Sequence, residues 1–378
     1  MLGNPDLTRL NLHCGLQTLA ICMAGAFSAA FLLRQGLSPS AVFLIFGAVL
    51  ALRFVLRPLA LWSAPRLGLK TTLALGCLLT AGQYAALAQV RGLDGWLVGY
   101  CLIGGLGNVY YWTTLHALIA ALSDSARMGR QVAFRQILTT LASVAGPIAG
   151  GALLAGYGPW AAFGAAAAIM LVSAAPLLAM REPGMALIAP EGAFAAGRSG
   201  ALLFSTDGWI NNAGAQGWAM AAFLTLGERY DAYGWLLAGA ALAGAAGGFV
   251  LGRFIDLGHG RRAVAVNAAL GCLLYAAMAY WAETPTGVVI LSVTGTLYGA
   301  LYIPSLLAVV YRRAKETPCV FRFHFMLEGG WDAGGVAACL AGAAITALGA
   351  PLALAIALAP AAVLVQGAML ARAYPREA

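Results

Sequence analysis

Apolar residues fill the chain in long runs, which short breaks containing charged residues, glycine or proline separate. A helix needs about 20 apolar residues to cross a bilayer, and the runs have that length. Continuous Ala/Leu/Gly-rich runs are also unlike the alternating strands of a membrane β-barrel. The pattern therefore predicts an all-α polytopic membrane protein with twelve spans, at 10–33, 41–62, 71–90, 96–121, 132–156, 160–179, 199–226, 233–254, 263–281, 287–311, 320–346 and 351–372.

The composition agrees with this pattern. Apolar side chains make up 61% of the 378 residues and charged ones 10%, against roughly 45–50% and about 25% in soluble domains. The net charge of +8 indicates basic cytoplasmic loops rather than a nucleic-acid partner. The first apolar run has no small-residue cleavage site after a short core, so we expect a retained span rather than a signal peptide.

Basic residues are distributed unevenly among the breaks, which predicts the orientation. Three lie in alternate breaks, Arg34, Arg91 and Arg229, and fourteen lie in the others. The positive-inside rule then places both termini in the cytoplasm. The longest break, 181–198, is rich in Pro and Gly and predicts a cytoplasmic linker between lobes at 1–180 and 199–378.

The two predicted lobes share short stretches of sequence at a constant offset. Ala29-Ala30-Phe31-Leu32 recurs 192 residues later as Ala221-Ala222-Phe223-Leu224, and Gly47-Ala48 recurs as Gly239-Ala240. A repeat of six spans inserts both copies in the same orientation. Two parallel six-helix bundles with a site between them near the midplane are typical of two-lobed transporters.

One loop carries a family resemblance. Residues 252–262, Gly-Arg-Phe-Ile-Asp-Leu-Gly-His-Gly-Arg-Arg, are similar to the Gly-x-x-x-Asp-Arg-x-Gly-Arg-Arg/Lys loop of the major facilitator superfamily, with one extra residue. A first copy at 61–70 has lost its aspartate. The resemblance implies a two-lobed transporter fold and a conformational latch formed by Gly252, Asp256, Arg261 and Arg262. A basic turn with an incidental aspartate is the alternative.

Predicted helix 5 contains Gly-Pro-x-x-Gly-Gly at 146–151, which resembles the motif of the family's exporters, although its upstream glycines are absent. Predicted helix 8 has glycines one turn apart. The resemblance implies that these helices cross between the lobes, so we expect lobe packing through Gly146, Pro147, Gly150, Gly244 and Gly248. A contact face of small residues without a transport role is the alternative. The motif favours export over import.

Polar residues concentrate in predicted helices 1, 4, 7, 10 and 11, whereas helices 3, 6, 9 and 12 are almost wholly apolar. The resemblance implies that helices 1, 4, 7 and 10 line the cavity. The candidate cavity residues are Gln17, Arg53, Asn108, Trp112, His116, Asn211, Asn212, Tyr298, Tyr302 and Trp331. For Arg53 and Arg57 the sequence favours snorkelling to the cytoplasmic face over a place in the cavity.

Predicted helix 11 carries the sharpest charged cluster. His324, Glu328 and Asp332 are spaced i, i+4, i+8 and share one face. At 1.5 Å per residue, Asp332 lies about 18 Å into the membrane. Two carboxylates one turn apart repel each other in low dielectric, which predicts that one of them carries a proton. Neutralisation by Arg322 and His324 is the structural alternative. Asp207 is a further candidate for proton coupling, or a cap or arginine partner of helix 7.

The leading hypothesis is therefore a proton-coupled carrier of a small organic solute, with export favoured and an importer as the alternative. A transition-metal carrier using His13, Cys14, Cys22, Met23, His116 and His324 is a second hypothesis, but no paired ligand motif supports it. No hydrolase motif or phosphate-binding loop supports an enzyme or an ATP-driven pump. We expect no cofactor and no bound metal, free thiols, and a monomer in the bacterial inner membrane.

Overall fold

The computed structural model describes residues 5–122, 128–182, 191–255 and 260–373, and within these ranges it contains helices and no strand. The helices before the linker, here called the N group, are α1 Pro5–Met23, α2 Ser28–Arg34, α3 Pro39–Leu56, α4 Pro58–Leu67, α5 Leu69–Leu87, α6 Gly95–Leu122, α7 Met128–Gly156 and α8 Pro159–Leu178. A short 3₁₀ segment at Gly25–Phe27 separates α1 from α2.

A short helix, α9 Ala193–Ala196, follows the part of the linker that lies outside the described residues. The remaining helices form the C group, which comprises α10 Arg198–Trp209, α11 Gln216–Thr225, α12 Tyr230–Ile255, α13 Gly260–Trp281, α14 Pro285–Glu316, α15 Val320–Ala347, α16 Leu352–Ile356 and α17 Ala359–Ala373. A π-helical turn at Ile210–Ala215 joins α10 to α11.

Three of the predicted spans contain a break, 10–33, 41–62 and 351–372, and a fourth, 199–226, contains the π-helical turn. The break between α3 and α4 falls at Pro58, because proline lacks the N–H that would continue the helical ladder. Seven helical segments in the described ranges are long and apolar enough to cross a bilayer. The count of twelve spans, and the lobe boundaries, stay predictions.

Several helices begin where the sequence supplies a start signal. Pro39, Pro159 and Pro285 each occupy the first turn of a helix, where the missing N–H costs nothing. Asp94 precedes α6 and accepts hydrogen bonds from the N–H groups of Arg91 and Leu97, both at 2.9 Å. These two donors hold the pKa of this carboxyl below its ordinary value.

Within the N group, α1 packs on α7 and α8, and α5 packs on α6 and α8. Within the C group, α10 packs on α15, α12 on α14, and α13 on α17. Two extensive contacts cross between the groups, α3 with α15 and α7 with α12. The α3–α15 contact brings charged residues from both groups together.

The two ends of the bundle are identified by contacts between their loops. At one end, here called the Arg34 end, Arg34 donates a 2.8 Å hydrogen bond to the carbonyl of Glu228, and Phe27 packs edge-on against Tyr233. These contacts join the N and C groups at that end. At the other end, here called the Glu182 end, the carboxylate of Glu182 accepts from the N–H groups of Leu69 and Lys70.

Candidate functional site

The α10–α15 contact is unusually close because glycines lie on both helices. A side chain at Gly330 or Gly334 of α15 would collide with the α10 carbonyl oxygens of Ala201 or Ser205. A side chain at Gly208 of α10 would collide with the carbonyl of Trp331. This backbone-to-backbone packing holds Asp207 beside Trp331.

Four charged side chains form a buried cluster between α3 and α15. Arg53 donates through Nε to Oδ1 of Asp332, and Arg57 donates through Nη2 to Oδ2 of the same carboxylate. Nη2 of Arg53 also lies 3.6 Å from Oε2 of Glu328. Asp332 has no solvent-exposed surface. The cluster contains two cations and two acids, so it balances its own charge while linking the two groups of helices.

Helix α6 contacts this cluster through two side chains, those of Thr113 and His116. Thr113 accepts a 3.2 Å hydrogen bond from Nη1 of Arg57. His116 places Nε2 3.5 Å from Oε1 of Glu328. The His116 ring stacks on Trp112 on one side and on His324 on the other, with centroids 6.0 and 5.5 Å away. Glu328 therefore contacts one arginine and one histidine, whereas Asp332 contacts two arginines.

Asp207 lies in a different environment, at the tenth residue of α10. Its Oδ1 accepts a hydrogen bond from the Tyr302 hydroxyl, and its Oδ2 accepts one from Nε1 of Trp331 at 2.9 Å. Among the described residues, no arginine, lysine or histidine forms an ion pair with it. Asp207 is thus a buried carboxyl, 9% exposed, whose hydrogen-bond donors are neutral.

A cavity of about 550 Å³ opens between the two groups of helices. Its volume is in the range of small-molecule sites. The lining residues come from α3, α5, α6, α10, the π-helical turn, α11 and α15. They are Phe46, Val49, Leu50, Arg53, Gln83, Tyr100, Asn108, Trp112, His116, Phe204, Asn211, Asn212, Ala215, Gln216, Glu328 and Trp331.

Seven of the ten predicted cavity residues line this space: Arg53, Asn108, Trp112, His116, Asn211, Asn212 and Trp331. Gln17 instead lines a neighbouring cavity of about 180 Å³. Tyr302 turns its hydroxyl to Asp207, and Tyr298 stacks on Tyr302 with centroids 5.5 Å apart. Gln17, Tyr298 and Tyr302 are therefore not among the residues that line this cavity, although the cavity beside Gln17 shares Gln83 and Asn108 with it. A role of the ten residues in binding a substrate stays a prediction.

Two lining amides were missed as site residues, Gln83 of α5 and Gln216 of α11. Gln83 belongs to a span that the composition marks as apolar, yet a lone amide in such a span is itself a signal. Gln216 follows the π-helical turn, and its N–H bonds to the carbonyl of Asn211 five residues earlier. Residues 211, 212, 215 and 216, which lie in or directly after this turn, all line the cavity.

The structure corrects the expectations about the charged residues of α3 and α10. Arg53 and Arg57 do not snorkel, because their guanidinium groups are buried against Asp332 at 5% and 2% residue exposure. Asp207 neither caps α10 nor pairs with an arginine among the described residues. Arg322 lies over the ring of Phe194, 4.9 Å from its centroid, and not on the acids.

His324 also does not neutralise an acid. Its ring lies between His116 and the edges of Tyr311 and Phe323. Neither of its nitrogens has a hydrogen-bond partner within the described part of the chain. A proton-coupling role for His324, Glu328 and Asp332 stays a prediction. Two arginines compensate the two carboxylates, so charge repulsion between Glu328 and Asp332 does not require that one of them carries a proton.

The predicted lobe-packing glycines contact other partners. A side chain at Gly146 or Gly150 would collide with Cys22 or Met23 of α1, and one at Gly244 would meet Thr296 of α14. Each of these contacts lies within one group of helices: α7 meets α1 in the N group, and α12 meets α14 in the C group. The α7–α12 approach instead uses Gly151 and Gly234, together with the carbonyl of Pro147. Gly248 and Gly252 fall in the part of α12 whose backbone alone is described.

The predicted latch is only partly within the described structure. Asp256 lies outside the described residues, and Arg261 and Arg262 begin α13. In the first copy, which lacks its aspartate, Glu182 supplies a carboxylate to the start of α5. Gly68 has a φ of +83°, and a side chain there would collide with that carboxylate. No sequence motif indicates that residue 182 reaches this loop.

The metal-carrier hypothesis depends on cysteines and histidines whose surroundings the structure describes. All seven cysteines are free thiols. In the ranges that the structure covers, no group of three or more His, Cys, Asp or Glu residues is arranged to hold a metal ion. His13 is used for packing, since Ser173 O lies 2.8 Å from its Nδ1 and the Tyr111 hydroxyl 2.9 Å from its Nε2.

A helical membrane protein with a polar cavity between two groups of helices has the form of a solute transporter. The family profile described as the Major Facilitator Superfamily matches residues 14–317. The chain therefore belongs to this superfamily of secondary transporters and is an integral membrane protein. A search of curated protein sequences finds no match to it.

Solved transporter structures share its fold. The human organic anion transporter MFSD10 (TETRAN) matches with a TM-score of 0.66 at 15% identity, over 97% of this chain and 99% of that one. The POT family transporter PepTSo matches with a TM-score of 0.68 at 12% identity, over 97% of both chains. At these identities the likeness concerns the fold alone.

Proposed function

We propose that the chain is a proton-coupled secondary transporter of a small organic solute that works by alternating access. The observation that carries the proposal is Asp207, a buried carboxyl whose partners are neutral. It accepts and releases a proton without leaving an arginine unpaired. Buried ionisable groups at membrane depth are functional candidates by default, because each is costly there.

Trp331 connects this carboxyl to the solute cavity. Its indole lines the cavity, while its Nε1 donates to Oδ2 of Asp207. The guanidinium of Arg53 also lies over the indole ring, 4.8 Å from the ring centroid. A solute that displaces Trp331 therefore changes both the donor set of Asp207 and the contacts of the charged cluster.

Tyr302 allows Asp207 to exist in two protonation states. A hydroxyl both donates and accepts hydrogen bonds. With Asp207 ionised, Tyr302 donates to Oδ1; with Asp207 protonated, the hydroxyl rotates and accepts the new O–H. Proton release then requires only that the carboxyl meets water on one side of the membrane, after the two groups of helices have moved.

The cluster of Arg53, Arg57, Glu328 and Asp332 has a different role in this proposal. It joins the N and C groups through buried ion pairs, so it biases their relative arrangement rather than carrying the proton. The direction of transport rests on the 146–151 motif, which favours export; import by symport is the alternative.

The test is proton flux in proteoliposomes, followed with a pH-sensitive dye on addition of a bound solute. Asp207→Asn keeps an acceptor for the indole N–H of Trp331, offers its NH₂ group to the Tyr302 hydroxyl and cannot exchange a proton, so we expect solute binding to persist and coupled proton movement to be lost. Asp231→Asn is the matched control, because Asp231 is exposed and pairs with Arg229. If Asp207→Asn still moves protons with the solute at the wild-type ratio, another residue carries the proton.

For orientation, we propose that the Glu182 end faces the cytoplasm of a bacterial cell. This end carries Arg66, Lys70, Arg181 and Arg198, whereas Arg34, Arg91 and Arg229 lie at the opposite ends of their helices. A single cysteine introduced at Glu191 in a cysteine-free background should react with a membrane-impermeant reagent only after the cells are opened. Labelling in intact cells would show that the Glu182 end faces the outside of the cell.

A further inference from the structure

The cavity has a charge balance that limits which solute it accepts. Its titratable lining residues include Arg53, Glu328 and His116, and Glu328 contacts both of the others. Arg53 is further compensated by Asp332 behind it. An anionic or cationic solute would have to break these pairs and leave a buried charge without a partner, which is strongly unfavourable. An uncharged solute leaves them intact.

The remaining polar lining consists mainly of side-chain amides from both groups of helices. Gln83 and Asn108 come from the N group, and Asn211, Asn212 and Gln216 from the C group. An amide presents two N–H donors and a carbonyl acceptor. Five of them around one cavity match a solute with many neutral donors and acceptors.

These amides retain unused hydrogen-bonding capacity. Nδ2 of Asn211 donates to the backbone carbonyl of Asp207 at 2.9 Å. Nδ2 of Asn212 donates to the backbone carbonyl of Gly208 at 2.8 Å. Each keeps a second N–H for the cavity. Nε2 of Gln216 is buried with no hydrogen-bond partner among the described residues. A buried donor without a partner is costly, so this amide is available to donate a hydrogen bond to a ligand.

Two indoles provide flat apolar surface beside the amides. Trp112 and Trp331 both line the cavity, one from each group of helices. Asn108 fixes Trp112 by accepting a 2.9 Å hydrogen bond from its Nε1, and Asp207 fixes Trp331 in the same way. Rigid aromatic rings of this kind stack on the flat face of a ring-shaped ligand.

We propose that the cavity binds a solute without net charge, built on a ring that carries several hydroxyl or amide groups. Sugars and nucleosides both have this chemistry. The amides bind the polar edge, and the indoles pack on the ring. This substrate class rests on the proposed transport function, but binding alone tests it.

The experiment measures thermal unfolding of the purified protein in detergent with matched pairs of compounds. Glucose is compared with glucuronate, and uridine with uridine 5′-monophosphate, so that only the charged group differs within a pair. We expect the uncharged member of at least one pair to raise the melting temperature, and its charged partner to bind weaker by roughly tenfold or more. The pair that responds distinguishes a sugar from a nucleoside.

Variants connect the binding to the amides. Gln216→Ala and Asn211→Ala should each weaken binding of the responding compound by roughly tenfold, the effect of about 1.4 kcal/mol. Gln136→Ala is the control, because Gln136 is an exposed amide of α7 outside the cavity lining. Two variants are used so that a folding defect in one does not decide the result.

Equal or tighter binding of the charged members overturns the proposal, as does the absence of any shift with the uncharged ones. The test uses no proton gradient, so it separates two failures. A charged solute that moves with protons removes the substrate class and leaves the proposed function intact. An uncharged solute that binds and moves without protons removes the coupling and leaves the substrate class intact.

Discussion

Asp332 of α15 and Asp207 of α10 are both buried acids, and their partners differ. Asp332 is held by Arg53 and Arg57, whereas Asp207 is held by the hydroxyl of Tyr302 and the indole of Trp331. A charge with charged partners must stay charged, because its loss leaves two cations in low dielectric. A carboxyl with neutral partners has no such constraint. The partners of an acid therefore indicate its role better than its depth in the membrane does.

The largest expected effect follows from Asp332→Asn. The change leaves Arg53 and Arg57 with Glu328 as their remaining acid, and we expect the free energy of unfolding to fall by about 3–5 kcal/mol. Thermal unfolding in detergent measures it. Adding Arg57→Met to Asp332→Asn removes the surplus cation and should recover most of the loss. A wild-type melting temperature for Asp332→Asn alone would show that the ion pairs contribute little.

An intermediate effect is expected for Glu328→Gln. Its oxygens lie 3.6 Å from Arg53 and 3.5 Å from His116, which is longer than a normal hydrogen bond. We expect a loss of stability below about 2 kcal/mol, measured by the same unfolding assay. Glu328→Ala, which also removes the shape of the side chain, is the comparison. A loss as large as that of Asp332→Asn would make Glu328 an equal member of the cluster.

The smallest effect on stability is expected for Asp207→Asn. The amide oxygen still accepts one of the two hydrogen bonds, and its NH₂ group donates to the Tyr302 hydroxyl, so we expect a change of about 1 kcal/mol or less. The same variant is expected to lose coupled proton flux. A stability loss like that of Asp332→Asn would mean that Asp207 has a charged partner, and the contrast between the two acids would disappear.

The positions of the helices could be predicted from the sequence because apolar length and start signals are local properties. The spans predicted to begin at 41, 160 and 287 begin at Pro39, Pro159 and Pro285. The π-helical turn was not predicted, since an Asn-Asn pair in a polar stretch has no helical signature of its own. It contains Asn211 and Asn212, two of the amides that line the cavity.

The partners of the site residues could not be predicted because they come from distant parts of the chain. The spacing of Glu328 and Asp332 predicts a shared face, which the structure confirms through their common partner Arg53. Nothing in that spacing indicates that Arg53 and Arg57, some 275–279 residues away, neutralise them. The glycines show the same limit: the motif at 146–151 is visible, whereas the identity of its neighbour, α1 or α12, is a tertiary property.

The contact of Gly151 with Gly234 has a mechanical consequence. With no side chains between them, the two helices touch backbone to backbone near the Arg34 end, so a tilt of one helix against the other at this point displaces no side chain of either glycine. Helix α7 extends from there towards Arg135 over 16 residues, a lever of about 24 Å at 1.5 Å per residue. A tilt of α7 by about 10° around the Gly151–Gly234 contact would displace the backbone at Arg135 by about 4 Å, on the order of one water diameter or more.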